Sequence, residues 1–162
     1  SHSSLWAAII DGEETTVSAS YTPVTVKKWN YGQLSTSYSE AISLSEVVEL
    51  QLQATSSEVT IDKLLKNAFI KNNFGTVHIL EIGNDFEALD VSVKNGELNL
   101  RLPKVATGIY VKGNSSTLKL PTGLQVVETK NGNTTIQKGY HLKNNSKRSV
   151  VITSDYSEVV LQ

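Results

Sequence analysis

Lys94-Asn95-Gly96-Glu97-Leu98-Asn99-Leu100 contains the pattern that decides the reading of this chain. From Asn95 it runs Asn, a small residue, a polar residue, then apolar–any–apolar. Eight copies begin at Tyr21, Tyr38, Ser56, Phe74, Asn95, Ser115, Asn131 and Tyr156, each opening on an aromatic, Asn or Ser. The second column is small throughout: Thr22, Ser39, Ser57, Gly75, Gly96, Ser116, Gly132 and Ser157. The third is Pro23, Glu40, Glu58, Thr76, Glu97, Thr117, Asn133 and Glu158. Steps of 17, 18, 18, 21, 20, 16 and 25 residues separate the copies, a period of about twenty that marks stacked architectures.

Apolar residues also alternate on both sides of each copy, as half-buried strands require. Before it come pairs such as Leu50/Leu52, Ala68/Ile70, Leu89/Val91, Ile109/Val111 and Gln125/Val127. After it come Ala41/Ser43, Val59/Ile61, Val77/Ile79, Leu98/Leu100 and Leu118/Leu120. Parity shifts by one across the pattern, so two short strands must meet there at a corner. Glycine frees the backbone at such a corner and serine bonds locally to it. Pro103 and Pro121 end the second strand at the opposite corner. Only Ile61–Lys71 shows any helical spacing.

A meandering β-sandwich would supply turns without aligned columns, whereas equivalent residues stacked in parallel ladders would supply both. The columns therefore predict an all-β, single-stranded parallel β-solenoid (β-helix) with eight coils of roughly nineteen residues. Right-handed winding is the default for parallel crossovers. Leu52, Ile70, Val91, Val111, Ile79, Leu100 and Leu120 are expected in its core. Residues 1–14 are expected to cap the first coil or to be a processing remnant, and 15–162 to form the solenoid, with an inserted basic loop at 137–148.

The runs Tyr38-Ser39-Glu40, Asn73-Phe74-Gly75-Thr76-Val77, Lys94 to Leu100, Lys130-Asn131-Gly132-Asn133-Thr134-Thr135-Ile136 and Asp155-Tyr156-Ser157-Glu158-Val159 resemble a known family. It is the head-domain, auto-transporter-adhesin-like β-solenoid family of exported bacterial proteins, and the similarity covers about residues 15–162. The resemblance implies a secreted or surface-exposed β-helix with no established catalytic residues.

At 162 residues the chain has the length of one domain, and its net charge of −1 steers it toward neither nucleic acid nor anionic lipid. No run approaches the length of a spanning helix. Without cysteine, disulfides, thiolate catalysis and cysteine-held zinc are excluded. The opening Ser1-His2-Ser3-Ser4 and the lack of methionine read as a processed start, consistent with an export signal already removed. The expected location is the periplasm or cell surface.

No Ser–His–Asp arrangement, HExxH or glycine-rich phosphate loop is present, so no cofactor or metal is expected. His78 reads as a surface residue, His2 belongs to the processed start, and His141 has no carboxylate or second histidine nearby in sequence. Glu40, Glu58 and Glu97 form the one carboxylate column that could serve a polysaccharide-active enzyme. Soluble turn residues are the simpler account of them. Trp29, Tyr31 and Tyr110 are candidates to stack on sugar rings. Lys138, Lys143, Lys147 and Arg148 make the basic loop a candidate contact for acidic glycan or a surface protein. The final strand, Glu158-Val159-Val160-Leu161-Gln162, is expected to leave an open edge on which a homodimer could form.

The expected function is thus a non-catalytic, cell-envelope-associated, adhesin-like binding or spacer module. The alternatives are a structural protein stacking through its C-terminal coil and a polysaccharide-active enzyme.

Overall fold

Where apolar and polar residues alternate, the chain forms strands, and among the described residues it forms no helix. The computed structural model describes residues 3–144 and 147–162. The strands are β1 Leu5–Ile10, β2 Thr16–Ser20, β3 Val24–Trp29, β4 Gln33–Ser37, β5 Ile42–Thr55, β6 Glu58–Asn73, β7 Thr76–Ile79 and β8 Ala88–Lys94. They continue with β9 Glu97–Leu100, β10 Thr107–Asn114, β11 Thr117–Lys119, β12 Gln125–Asn131, β13 Thr134–His141, β14 Ser149–Asp155 and β15 Glu158–Leu161. Ile61–Lys71, the stretch with helical spacing, lies inside β6.

Two rows of strands build the sheet. One runs β1–β3–β5–β6–β7–β9–β15–β11, with every neighbouring pair parallel. The other runs β2–β4–β5–β6–β8–β14–β10 in parallel. It ends in β13 and β12, each antiparallel to its predecessor. At 14 and 16 residues, β5 and β6 serve in both rows and join them. Inward residues of both rows merge into one core, which includes Leu52, Ile61, Ile70, Ile79, Val91, Leu98, Leu100, Val111, Ile152 and Val159. Leu120 is only partly buried because it follows β11, the outer strand of its row.

The expected single-stranded parallel β-solenoid of eight coils is therefore corrected. All fifteen strands belong to one mixed sheet, parallel and antiparallel, curled into a half-barrel. Three features break the even stacking that the β-helix reading required. First, the Asn131 copy is a hairpin: Gly132, at φ 60, turns β12 back as β13, with Asn131 opposite Thr134. A positive-φ Gly at the first central position is the signature of a type II′ turn, whose twist matches antiparallel strands. Val127, expected inside, is consequently 73% exposed. Second, the chain does not climb in order. The pair β14/β15 enters between β8/β9 and β10/β11. Third, the Tyr38 copy carries one more residue before its strand, so Ile42 and Leu44 are buried and Ala41 and Ser43 are exposed.

The insertion of β14/β15 also corrects the expected assembly edge. Glu158–Leu161 pairs with β9 on one side, while Glu158–Val160 pairs with β11 on the other. Gln162 exchanges backbone hydrogen bonds with Leu100 and Leu102 at 2.9 and 2.7 Å. No unpaired backbone row remains there for a second copy to extend.

Seven of the eight pattern starts adopt left-handed backbone: Tyr21 (φ 53), Tyr38 (53), Ser56 (50), Phe74 (58), Asn95 (51), Ser115 (47) and Tyr156 (48). Each donates its N–H across the corner to the neighbouring level. Acceptors are the carbonyls of Ser37, Thr55, Asn73, Lys94, Asn133, Asp155 and Asn114, at 2.8 to 3.0 Å. The next residue must be small because it lies on the backbone of the level beside it. A Cβ on Gly75 would stand 2.1 Å from the Ser57 carbonyl oxygen, and one on Gly96 2.1 Å from that of Gly75. Where serine occupies the column its hydroxyl completes the bonding. Ser157 Oγ accepts the Gly96 N–H at 3.1 Å and donates to the Asp155 carbonyl at 2.8 Å.

Gly96→Ala is expected to lower stability by about 1–3 kcal/mol, since the added methyl must push backbone aside. Leu52→Ala, at a fully buried position, is expected to cost about 2–5 kcal/mol. Urea unfolding of each variant measures both losses, and a Gly96→Ala midpoint equal to wild type would contradict the stacked corner.

Candidate functional site

Trp29 is not a ligand-stacking residue. It is fully buried, lies in register between Ile10 and Val47, and donates from Nε1 to the Gly32 carbonyl at 3.2 Å. Its neighbour Tyr31 is half-buried and lines a cleft of about 480 Å³ with Gln33, Gln51, Phe69 and Asp90. Tyr110 is half-buried on β10, paired with Val151 on β14 and Lys138 on β13.

Tyr31 and Tyr110 belong to one surface all the same. Outward side chains of the second row form continuous rungs across neighbouring strands. One rung passes Gln33, Gln51, Phe69, Asp90, Val151 and Tyr110. Beside it runs Ser35, Gln53, Lys71, Ser92, Thr153 and Lys112. A second cleft of about 520 Å³ follows this rung and the next, reaching Thr55, Asn73, Lys94 and Asp155. The face is therefore a shallow polar trough of amides and hydroxyls with an aromatic ring inside it. Phe69 is 43% exposed, and Lys71 Nζ stands 5.5 Å from its ring centroid, within cation–π range. Asp90 sits in register between Phe69 and Val151. Partial burial there raises its carboxyl above the ordinary 3.8, and the nearby Lys71 charge offsets part of the rise.

The basic residues do not gather as one loop. Lys138 belongs to β13, in register with Tyr110 and Val127. Lys143 and Lys147 are exposed in the segment after it, and Arg148 is half-buried with its carbonyl accepting the Gly108 N–H at 2.8 Å. Asn145 and Ser146, inside the expected loop 137–148, lie outside the described residues. Residues 137–141 of that span are strand.

Carboxylates meet on the outer face of the first row. Glu97 lies two levels from Glu58 with Thr76 between, the expected spacing, and the residue beside Glu97 is Glu158, brought there by the inserted C-terminal strand. Glu58 Oε1 lies 3.8 Å from His78 Nε2. Asn99 Nδ2 reaches both His78 Nδ1 at 3.4 Å and Glu97 Oε1 at 3.1 Å. Glu158 Oε1 binds Lys119 Nζ at 2.6 Å, and that hydrogen bond holds the lysine above its usual 10.5. The Glu97/Glu158 contact spans 61 residues of sequence, and no spacing rule could have shown it. Among the described residues no three His, Asp or Glu side chains gather as a metal site. No helix among them is long and apolar enough to cross a membrane.

No protein-family model, curated protein or solved structure matches this chain. The adhesin-family resemblance rests on its sequence runs alone.

Asp90 yields a pH test. Its folded-state pKa is raised, so ionised Asp90 opposes folding above that pKa. The penalty vanishes as pH falls through it toward and below 3.8. Asp90→Asn is therefore expected to raise the urea midpoint at pH 7 and to leave it unchanged at pH 3. A lower midpoint at pH 7 would show that the carboxylate contributes more through Lys71 than burial takes away.

Proposed function

We propose that this protein is a non-catalytic, adhesin-like binding module, exported to the periplasm or cell surface, that holds a glycan of the cell envelope along its outer face. The observation that carries the reading is the trough of the second row. Its amides, hydroxyls and lysines recur at strand spacing, about 4.8 Å, beside the exposed Phe69 and the half-buried Tyr31 and Tyr110. Sugars offer that combination of partners: apolar ring faces for aromatic side chains and hydroxyl edges for fixed donors and acceptors. A shallow surface backed by a rigid sheet suits an extended polymer, which needs no enclosing pocket.

The arrangement of the carboxylates favours binding over hydrolysis. A general acid is usually set against an apolar wall that keeps it protonated. Here Glu97 and Glu158 stand on an outer strand face, occupied by Asn99 and Lys119. The spacer role uses the same scaffold and is separated from binding by the assay below. Assembly through the C-terminal strand is not part of the proposal, because that strand is covered on both sides.

Co-sedimentation with bacterial cell-wall sacculi tests the reading. The wild type is expected to pellet with sacculi, and Phe69→Ala combined with Gln51→Ala to weaken binding about tenfold, the loss of roughly 1.4 kcal/mol. Release of reducing sugar by wild type, abolished in Glu97→Gln, would replace the proposal with an enzyme. Absence of binding by a folded wild type would leave the spacer role.

A further inference from the structure

Six of the seven left-handed corners, all but Asn95, hold residues that the backbone does not favour. A non-glycine residue at positive φ is strained by about 1–2 kcal/mol, and glycine or asparagine relieves the strain. Yet four of these positions are aromatic, and all four rings face solvent: Tyr21 74% exposed, Tyr38 53%, Phe74 56% and Tyr156 62%. Burial cannot explain rings that stay this exposed. Bulky side chains kept at strained, solvent-facing positions point to a use outside the fold.

Their order along the corner is informative. The corner hydrogen bonds run Tyr21 to Tyr38, then to Ser56, Phe74, Asn95 and Tyr156 by way of the residues just before each. Tyr21 and Tyr38 stack at 5.1 Å between centroids and 10° between planes. Beyond them the rings at Tyr38, Phe74 and Tyr156 fall on every second level, with Ser56 and Asn95 between. Two levels span about 10 Å. Polar residues adjoin the ridge in the chain: Thr55, Asn73 and Asp155 just before the Ser56, Phe74 and Tyr156 corners, and Glu58 and Glu158 two residues after Ser56 and Tyr156.

Taking the binding-module reading above as its premise, we infer that this aromatic ridge is a stacking site for a β-1,4-linked pyranose polysaccharide lying along the row of corners. In such a chain every second ring presents the same face, at the interval that separates these aromatic levels. Phe74 and Tyr156, two levels apart, each cover one ring face, Asn95 meets the hydroxyls of the ring between, and Tyr38, whose face is stacked on Tyr21, meets the polymer with its edge. The adjoining trough rung, with Thr55, Asn73 and Lys94, lies within reach of the same polymer. A lipid or protein surface fits less well, because its partner would be a continuous apolar patch. This ridge is interrupted by polar residues at every second level.

Calorimetric titration with cellohexaose and chitohexaose, against α-linked maltohexaose, tests the inference on the full chain. A β-1,4-linked hexasaccharide is expected to bind at least tenfold tighter than maltohexaose. Phe74→Asn and Tyr156→Asn are each expected to weaken it at least tenfold. Asparagine tolerates left-handed backbone, so both variants should unfold at an unchanged or higher urea midpoint. That pairing separates ligand contact from support of the fold. A lowered midpoint with binding retained would make the rings structural and overturn the inference. Hexasaccharide binding lost in Phe69→Ala but retained in both corner variants would also overturn it, placing the glycan in the trough and leaving the binding-module reading intact. If the wild type binds no hexasaccharide the ridge assignment fails, and co-sedimentation with sacculi decides the broader reading separately.

Discussion

One backbone hydrogen bond, repeated at seven corners, ties each level of the sheet to its neighbour where the two rows meet. A residue at φ near +50 turns the chain, and its N–H reaches the carbonyl of the next level. Without the turn, the strand before the corner and the strand after it could not present their apolar sides to the same core. Without the bond, a buried donor would be lost at every level. The small residue that follows is the steric consequence: levels closely spaced leave no room at Gly75 or Gly96 for a side chain. Polar chemistry at the corners thus supports an apolar core in which Leu52, Ile61, Ile70 and Val91 are fully buried.

That constraint explains what could be read from the sequence. The small column and the flanking alternation located seven corners and most of the buried positions, because both arise from contacts within one level or with the next. The order of the levels is a different kind of information. Insertion of β14/β15 between β8/β9 and β10/β11 is decided by long-range pairing among strands with nearly the same pattern. Since Ser115, Asn95 and Tyr156 have equivalent neighbours, local residues give no reason to prefer one sequence of stacking over another. Gly132-Asn133 between alternating strands is the two-residue loop of a II′ hairpin, but Asn131-Gly132-Asn133 also satisfies the corner pattern, so the period alone does not distinguish hairpin from corner.

The candidate site divides in the same way. Tyr31, between β3 and β4, and Tyr110, on β10, are half-buried on one outward surface, whereas Trp29 closes the core between Ile10 and Val47. Its alternation was readable, since Val24, Val26 and Trp29 all point inward in β3, but the step from Val26 to Trp29 breaks the period of two. Phe69, Asp90 and the Glu97/Glu158 contact gain their meaning from neighbours about twenty or more residues away. The exposed corner aromatics lay in the first column of the pattern from the outset. Their strain and exposure became visible only with backbone angles and surface areas.

Native-state amide hydrogen exchange tests this account most directly, because it reports corner bonding and strand order together. The N–H groups of Tyr38, Ser56, Phe74, Asn95 and Tyr156 should be protected although the rings of Tyr38, Phe74 and Tyr156 are exposed. Strand β15, close to the end of the chain, should exchange as slowly as β9 beside it. Fast exchange at the corners, or a β15 that frays while β9 and β11 stay protected, would contradict both the hydrogen-bonded turn and the inserted strand.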